Sequence, residues 1–345
     1  MKVSRIDSQL PDFSSHGLNV GLIGCGSIAR FHADVLRAVG ISVQAVCSSP
    51  ASKRISSFAE EYFIPRVYKT WHQMMDKESL SAVFVLAPWD LIDGMLLPLL
   101  EFKTPVFFEK PVALVPEHIE EALKTYPNMI DRVQIGYNRR FYDFIPIIKT
   151  LLADRVIKAI EIHIPESSAG IVNENLVNNL FLQNSSHVID LLLFLLDFPV
   201  VSMMEIKRHI NSQGLANGYN GLLMINGGIP VHLVACWNSP SNFGLKFHCD
   251  GLLIELLPIE TARIYDGFEV IEPTRENPIR RYKPHVSREF FIDPLSAKFK
   301  PGFLKQTLNF IDTCVLGIRP NIIGANLPSS LKVTKLCREV MTGCA

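Results

Sequence analysis

The sequence predicts an α/β chain of two domains, a doubly wound parallel sheet followed by a second α/β domain with a mainly antiparallel sheet. Length is the first reason, since 345 residues exceed what one hydrophobic core usually serves. The second is the rhythm from Leu18 to Asn138, where short apolar runs alternate with helix-like segments, as parallel strands joined by helical crossovers require. The third is the change of rhythm afterwards, to apolar-polar alternation punctuated by glycine-containing turn pairs. The boundaries read as a loose tail over 1–16, a first domain over 17–138 and a second over 139–345.

In the first domain the strand runs are Leu18 to Ile23, Val43 to Cys47, Ala82 to Ala87, Pro105 to Glu109 and Arg132 to Asn138. Helices fill the intervals. Ser49 before Pro50 reads as an N-cap with proline at the first helical position, and Thr70 with Gln73 has capping-box spacing. A helix over Asp143 to Ala153 leads into the second domain. There Ile160 to Ile164 alternates as a strand, and Asn226-Gly227-Gly228, Asp250-Gly251 and Asp266-Gly267 are suited to tight hairpins. Helical patterns return at Asn175 to Leu196, Lys305 to Leu316 and Ser329 to Met341. The segment Pro273 to Pro301, rich in proline and arginine, reads as a long excursion and a candidate interaction arm.

Composition narrows the function. The chain is 48% hydrophobic and 20% charged, a globular balance that argues against extensive disorder. Lys+Arg and Asp+Glu number 34 each, so no net field favours nucleic acid or an anionic membrane, and a small molecule becomes the expected partner. The opening MKVSRIDSQLPDFSSH has no apolar signal region, and Val188 to Val201 is too short to span a bilayer, so a cytoplasmic location is expected. The seven cysteines form no C-x-x-C pair, and neither a disulfide framework nor a metal site is suggested.

Directly after the first strand stands Gly24-Cys25-Gly26-Ser27-Ile28-Ala29, a G-x-G-x-x-A opening a helix. Gly24 suits a tight turn, Gly26 lets backbone approach a pyrophosphate, and Ala29 lets helix and strand pack closely. Amides at the helix start then face the phosphates. This is the pattern of a Rossmann dinucleotide domain. The second strand normally ends in an acid that holds the ribose hydroxyls of NAD; here Ser48 and Ser49 stand there, with Lys53 and Arg54 nearby. A hydroxyl does not repel a 2′-phosphate and the cations neutralise one, so NADP is expected ahead of NAD.

Three further segments, FFEKPVAL (Phe107 to Leu114), IGYNRRF (Ile135 to Phe141) and SSHVIDLL (Ser185 to Leu192), follow GLIGCGSIARFHADVL in order. Together they resemble the glucose-fructose oxidoreductase/inositol dehydrogenase (Gfo/Idh/MocA) family. The resemblance implies a Rossmann domain, a second domain with an open-faced sheet, and NAD(P)-dependent oxidation or reduction at a hydroxyl of a sugar, cyclitol or sugar nucleotide. It also implies a homodimer or homotetramer. By motif position Lys110 and His187 correspond to the family's active-site lysine and histidine. Ala87, Pro88, Glu109 and Lys110 would reach the cofactor, while Tyr137, Asn138, Arg139 and Gln183 would line the substrate side with His187.

Chemistry is compatible with those roles. A base must take the hydroxyl proton as hydride departs, and histidine titrates in the useful range without help. Lysine does so once desolvated or placed near another cation. Arg139 and Arg140 offer a bidentate clamp for a phosphate or carboxylate, or else surface charge. Asp190, three residues beyond His187, is an orienting partner for the imidazole or a structural one. Two positions depart from the family. Ile92 stands where histidine is frequent, and Gln183 stands where an aspartate is common one turn before His187. Glutamine hydrogen-bonds a hydroxyl but brings no negative charge, which leaves a non-catalytic sensor of dinucleotide or sugar as the alternative.

Overall fold

A computed structural model describes residues 10–49, 52–171, 173–226, 228–294 and 296–343. The chain divides into two compact units. The first runs to Ala113 and takes in His118–Gly136 and Lys298–Leu327; the second comprises Leu114–Glu117, Tyr137–Ala297 and the chain from Pro328 onward.

In the first unit the order is β1 (Asn19–Ile23), α1 (Ser27–Ala38), β2 (Ser42–Cys47), α2 (Ile55–Glu61), β3 (Arg66–Tyr68), α3 (Trp71–Lys77), β4 (Ala82–Val85), α4 (Trp89–Ile92), α5 (Leu96–Leu100), β5 (Val106–Phe108), α6 (Pro116–Thr125) and β6 (Val133–Ile135). All neighbours are parallel, in the order β3-β2-β1-β4-β5-β6. Every residue of β4 and β5 is buried, which is why AVFV and VFF read as unbroken apolar runs rather than as alternation. Strand order reverses between β1 and β4, the position at which such sheets take ligands.

The second unit carries α7 (Ile145–Ala153), β7 (Ile157–Ile164), α8 (Glu174–Asn178), α9 (Ser185–Leu195), β8 (Val201–Ile210), β9 (Ala216–Ile225), β10 (Ile229–Cys236), β11 (Gly244–Cys249), β12 (Leu252–Leu256), β13 (Ala262–Ile271) and β14 (Arg281–Phe290). Its sheet runs β14-β13-β12-β11-β7-β10-β9-β8, antiparallel except where β7 meets β10. In β10 Val231, Leu233 and Ala235 are buried while His232, Val234 and Cys236 are exposed, the alternation of a sheet packed on one face. Helix α9 lies on β7 and β11. Two helices follow: α10 (Phe303–Phe310), within the first unit, and α11 (Leu327–Thr342), almost wholly in the second.

Several elements differ from the sequence reading, each for a local reason. Residues 298–327, read with the second domain, pack in the first unit because Phe303, Leu304, Phe310 and Ile311 join the core of Ala29, Ala33 and Leu36. Phe13, read as tail, is buried in that core and its N–H donates to the Val39 carbonyl at 2.8 Å; residues 1–9 lie outside the described residues. Thr70 does cap α3, its Oγ1 accepting the Gln73 N–H at 3.2 Å. The helix start read at Ser49 is not that of α2, which opens at Ile55 after Arg54, and Pro50 lies outside the described residues. The single helix read over Asn175 to Leu196 is broken, because Gln183 takes ψ −106° and ends a short 3-10 turn, Leu180–Leu182, ahead of α9.

Asp266-Gly267 is not a hairpin turn. It lies inside β13, where the register with β14 slips, and Gly267 at φ 155° supplies the irregular backbone of a bulge. Much of the expected excursion is therefore strand β14. Beyond the bulge Phe268 pairs with Pro284 and Val270 with Tyr282, while Glu269 pairs with Lys283. Opposed residues share a face, so one side of this ribbon is apolar and the other ion-paired. Of the turn Asn226-Gly227-Gly228, Gly227 lies outside the described residues.

Candidate functional site

The carboxyl ends of β1, β2, β3 and β4 open on a cavity of about 860 Å³ within the first unit, the size range of small-molecule sites. The turn from β1 to α1 contributes Gly24, Cys25, Gly26, Ser27 and Ile28; the segment after β2 contributes Ser48, Ser49, Ser52, Lys53 and Arg54. Lys69, Thr70, Trp71 and His72 follow β3, and Leu86, Ala87, Pro88, Leu91 and Met95 follow β4. The sequence reading nominated most of the first two groups together with Ala87 and Pro88. Lys69, Trp71 and His72 escaped it because β3 has only three residues and no apolar run to announce it.

The glycines explain the shape of this cavity. Gly24 has φ 114°, and a Cβ there would stand 2.4 Å from the Leu86 carbonyl oxygen, so only glycine lets the turn pass the end of β4. A Cβ on Gly26 would meet nothing within 4 Å; its absence leaves open room at the start of α1, where Gly26 caps without a side chain and first-turn amides remain available. Among the described residues, Lys53, Arg54 and Lys69 line the cavity and no Asp or Glu does. Trp71, Leu86, Leu91 and Met95 add apolar wall. A polyanion with a flat ring at one end, the chemistry of a dinucleotide, fits these residues. Burial pushes the Cys47 thiol up to about 12, so this wall residue stays protonated.

Glu109, nominated for the cofactor, is not among the residues that line the cavity. Its Oε1 lies 3.1 Å from Nε2 of the fully buried His32, and its Oε2 accepts the Lys110 N–H at 3.2 Å. Burial alone would raise this carboxyl; the bond to His32 and the nearby His32, Lys110 and Lys300 outweigh it and hold it below the usual carboxylate value. A buried charge needs such partners, and they turn Glu109 into a brace under Lys110 rather than a ligand. Lys110 itself is half-buried and does not line the cavity.

In the second unit His187 is buried near the start of α9. The Tyr137 ring packs edge-on against it, with centroids 5.6 Å apart and planes at 89°. Burial and then the charge of Asp190 hold the Tyr137 phenol well above its usual value, and Tyr137 is in hydrogen-bond contact with Ser186. Tyr137, nominated as a substrate contact, thus acts as the packing wall of His187. Asn138 is buried in the 3-10 turn Asn138–Phe141. Arg139 is half-buried, its guanidinium 5.1 Å from the Phe243 ring, and its Nη1 is buried with no hydrogen-bond partner among the described residues.

Arg140 is no substrate clamp. Its Nε and Nη2 donate to the two carboxylate oxygens of Asp190 at 2.8 and 2.5 Å, with both side chains almost wholly buried. Asp190 therefore serves Arg140 rather than orienting the imidazole. Gln183 is half-buried, and its carbonyl accepts the Ser186 hydroxyl at 2.8 Å. A carboxylate that sequence reasoning did not single out stands beside it in the fold. Glu166, only 2% exposed, accepts the Ser185 N–H at 2.9 Å, the Ser185 hydroxyl at 3.0 Å and the Asn184 amide at 3.0 Å. It follows β7, and nothing in its local sequence signals a cap for a helix begun nineteen residues later.

Comparison with known proteins adds the following. Residues 18–137 match the model of GFO_IDH_MocA, an oxidoreductase family with an NAD-binding Rossmann fold. The chain is 29% identical over 133 residues to the uncharacterized oxidoreductase YrbE of Bacillus subtilis, a stretch covering 38% of this chain and 39% of that protein. The curated relatives are matched over 37% to 39% of their own length. Among solved structures, UDP-N-acetylglucosamine 3-dehydrogenase GnnA from Acidithiobacillus ferrooxidans superposes with TM-score 0.73 at 15% identity, covering 94% of this chain and 97% of that one. Myo-inositol dehydrogenase from Lactobacillus casei, in complex with NAD(H) and myo-inositol, superposes with TM-score 0.70 at 18% identity and covers 94% of each chain. Both units thus share the fold of these dehydrogenases.

Proposed function

We propose that this chain, whose residues 18–137 match the model of the GFO_IDH_MocA family of NAD-binding oxidoreductases, interconverts a secondary hydroxyl and a ketone on a sugar, cyclitol or sugar nucleotide. The observation that carries the reading is the cavity at the switch point of the first sheet, lined among the described residues by the Gly24–Ile28 turn and by Lys53, Arg54 and Lys69 without a carboxylate. A bound nicotinamide cofactor would supply the hydride acceptor or donor. Gly24, Gly26 and the amides of α1 would hold its pyrophosphate. Ser48 and Ser49 in place of an acid, with Lys53 and Arg54, favour NADP. His187 takes the hydroxyl proton and Lys110 polarises the reacting oxygen through a charge-assisted hydrogen bond. The substrate class is supported by the inositol and sugar-nucleotide dehydrogenases among the structural neighbours.

Incubating the chain with NADP or NAD and a panel of sugars, cyclitols and sugar nucleotides, and following reduced-nicotinamide absorbance, is expected to give turnover with one of these classes, faster with NADP. Gln183 favours one other reading, a sensor on the same fold. Tight cofactor binding without redox turnover anywhere in the panel would select the sensor and reject the enzyme.

A further inference from the structure

The cavity carries a cation whose position is fixed more firmly than those of Lys53 and Arg54. Strands β2 and β3 pair in parallel with Ala45 opposite Arg66, Val46 opposite Val67 and Cys47 opposite Tyr68. The next residue on each strand is Ser48 and Lys69, so these two leave the sheet side by side at its carboxyl edge. In a Rossmann domain the end of the second strand is where the adenosine ribose 2′-position is read. Lys53 and Arg54, by contrast, come after a loop and at the start of α2. Lys69 is followed at once by Thr70, whose bond to the Gln73 N–H pins the entry into α3. Beyond it the rings of Trp71 and His72 stack with centroids 3.5 Å apart and planes at 25°, and both line the cavity with Lys69.

We propose that Lys69 and the Trp71–His72 stack form the subsite for an adenosine 2′-phosphate, with Lys69 the residue that selects a 2′-phosphorylated dinucleotide over an unphosphorylated one. This rests on reading the cavity as a dinucleotide site. The lysine ammonium neutralises the 2′-phosphate by a charge-assisted hydrogen bond, and Ser48 adds a hydroxyl without a repelling charge. The indole of Trp71, braced by His72, gives the adenine a flat apolar wall that serves either dinucleotide equally.

The test is calorimetric titration of the intact chain with 2′,5′-ADP and with 5′-ADP, independent of any turnover. The wild type is expected to bind 2′,5′-ADP more tightly. Lys69→Ala should weaken 2′,5′-ADP by roughly tenfold or more and leave 5′-ADP unchanged, Lys69→Arg should restore the preference, and Trp71→Ala should weaken both ligands alike. Lys69 is an exposed residue, so its variants are expected to retain the fold, and circular dichroism checks the fold of every variant. If the wild type binds both ligands equally, or Lys53→Ala and Arg54→Ala abolish the preference while Lys69→Ala does not, the assignment is overturned. If neither nucleotide binds, the dinucleotide reading itself fails, an outcome distinct from loss of preference alone.

Discussion

Asp190→Ala is expected to lower the unfolding free energy by about 3–5 kcal/mol, among the largest effects of any single substitution in the second unit. The variant leaves the Arg140 guanidinium in a site where only 2% of its side chain is exposed, flanked by the Phe194 ring at 4.8 Å and the Phe198 ring at 5.3 Å. Burial raises the Asp190 carboxyl above its usual value, against the opposing pull of Arg140. Linkage gives the matching sign: an acid with a raised folded value favours folding most when protonated, and its contribution falls as pH climbs from the usual carboxylate value through the raised one. Hence Arg140→Met with Asp190→Leu should recover most of the loss. Urea midpoints for the single and double variants measure both claims, and a single variant within about 1 kcal/mol of wild type would show that water already solvates the guanidinium.

That pair also shows where sequence stops being informative. Arg140 and Asp190 stand 50 residues apart, and each has a plausible local role, as substrate clamp or as partner of His187, that only the fold removes. Glu109 finds His32 across 77 residues in the same way. Neither partnership leaves a periodic trace. What was legible is what local chemistry dictates: the glycine turn between β1 and α1, the unbroken apolar runs of β4 and β5, the alternation of β10, and the Thr70 cap. What was not legible depends on tertiary context. β3 owes its existence to pairing with β2, and α9 begins where Glu166 meets its first amides. The lysine beside Ser48 was hidden for the first of these reasons, and the carboxylate that caps α9 for the second.

His187→Ala and Lys110→Ala are each expected to lower kcat on the cognate substrate by about 10²–10⁴-fold, the range lost with a positioned proton-transfer group. The two should lower the unfolding midpoint less than Asp190→Ala does, since neither belongs to that buried ion pair. Dinucleotide affinity of His187→Ala should also be unchanged, because the cavity is built entirely from the first unit. The structure gives a reason to expect His187 to function despite Gln183. Its helix is held at the first turn by Glu166 through Ser185 and Asn184, and its ring is walled by Tyr137. A carboxylate at the start of α9, the helix whose first turn carries His187, complements the positive helix end. Glu166→Gln keeps an acceptor for the Ser185 amide but removes that charge. If the imidazolium is stabilised from there, the acidic limb of the pH–rate profile should move to lower pH in this variant while KM stays nearly constant. An unmoved limb would mean that Glu166 only caps the helix, and wild-type turnover in His187→Ala would remove the histidine from the chemistry altogether.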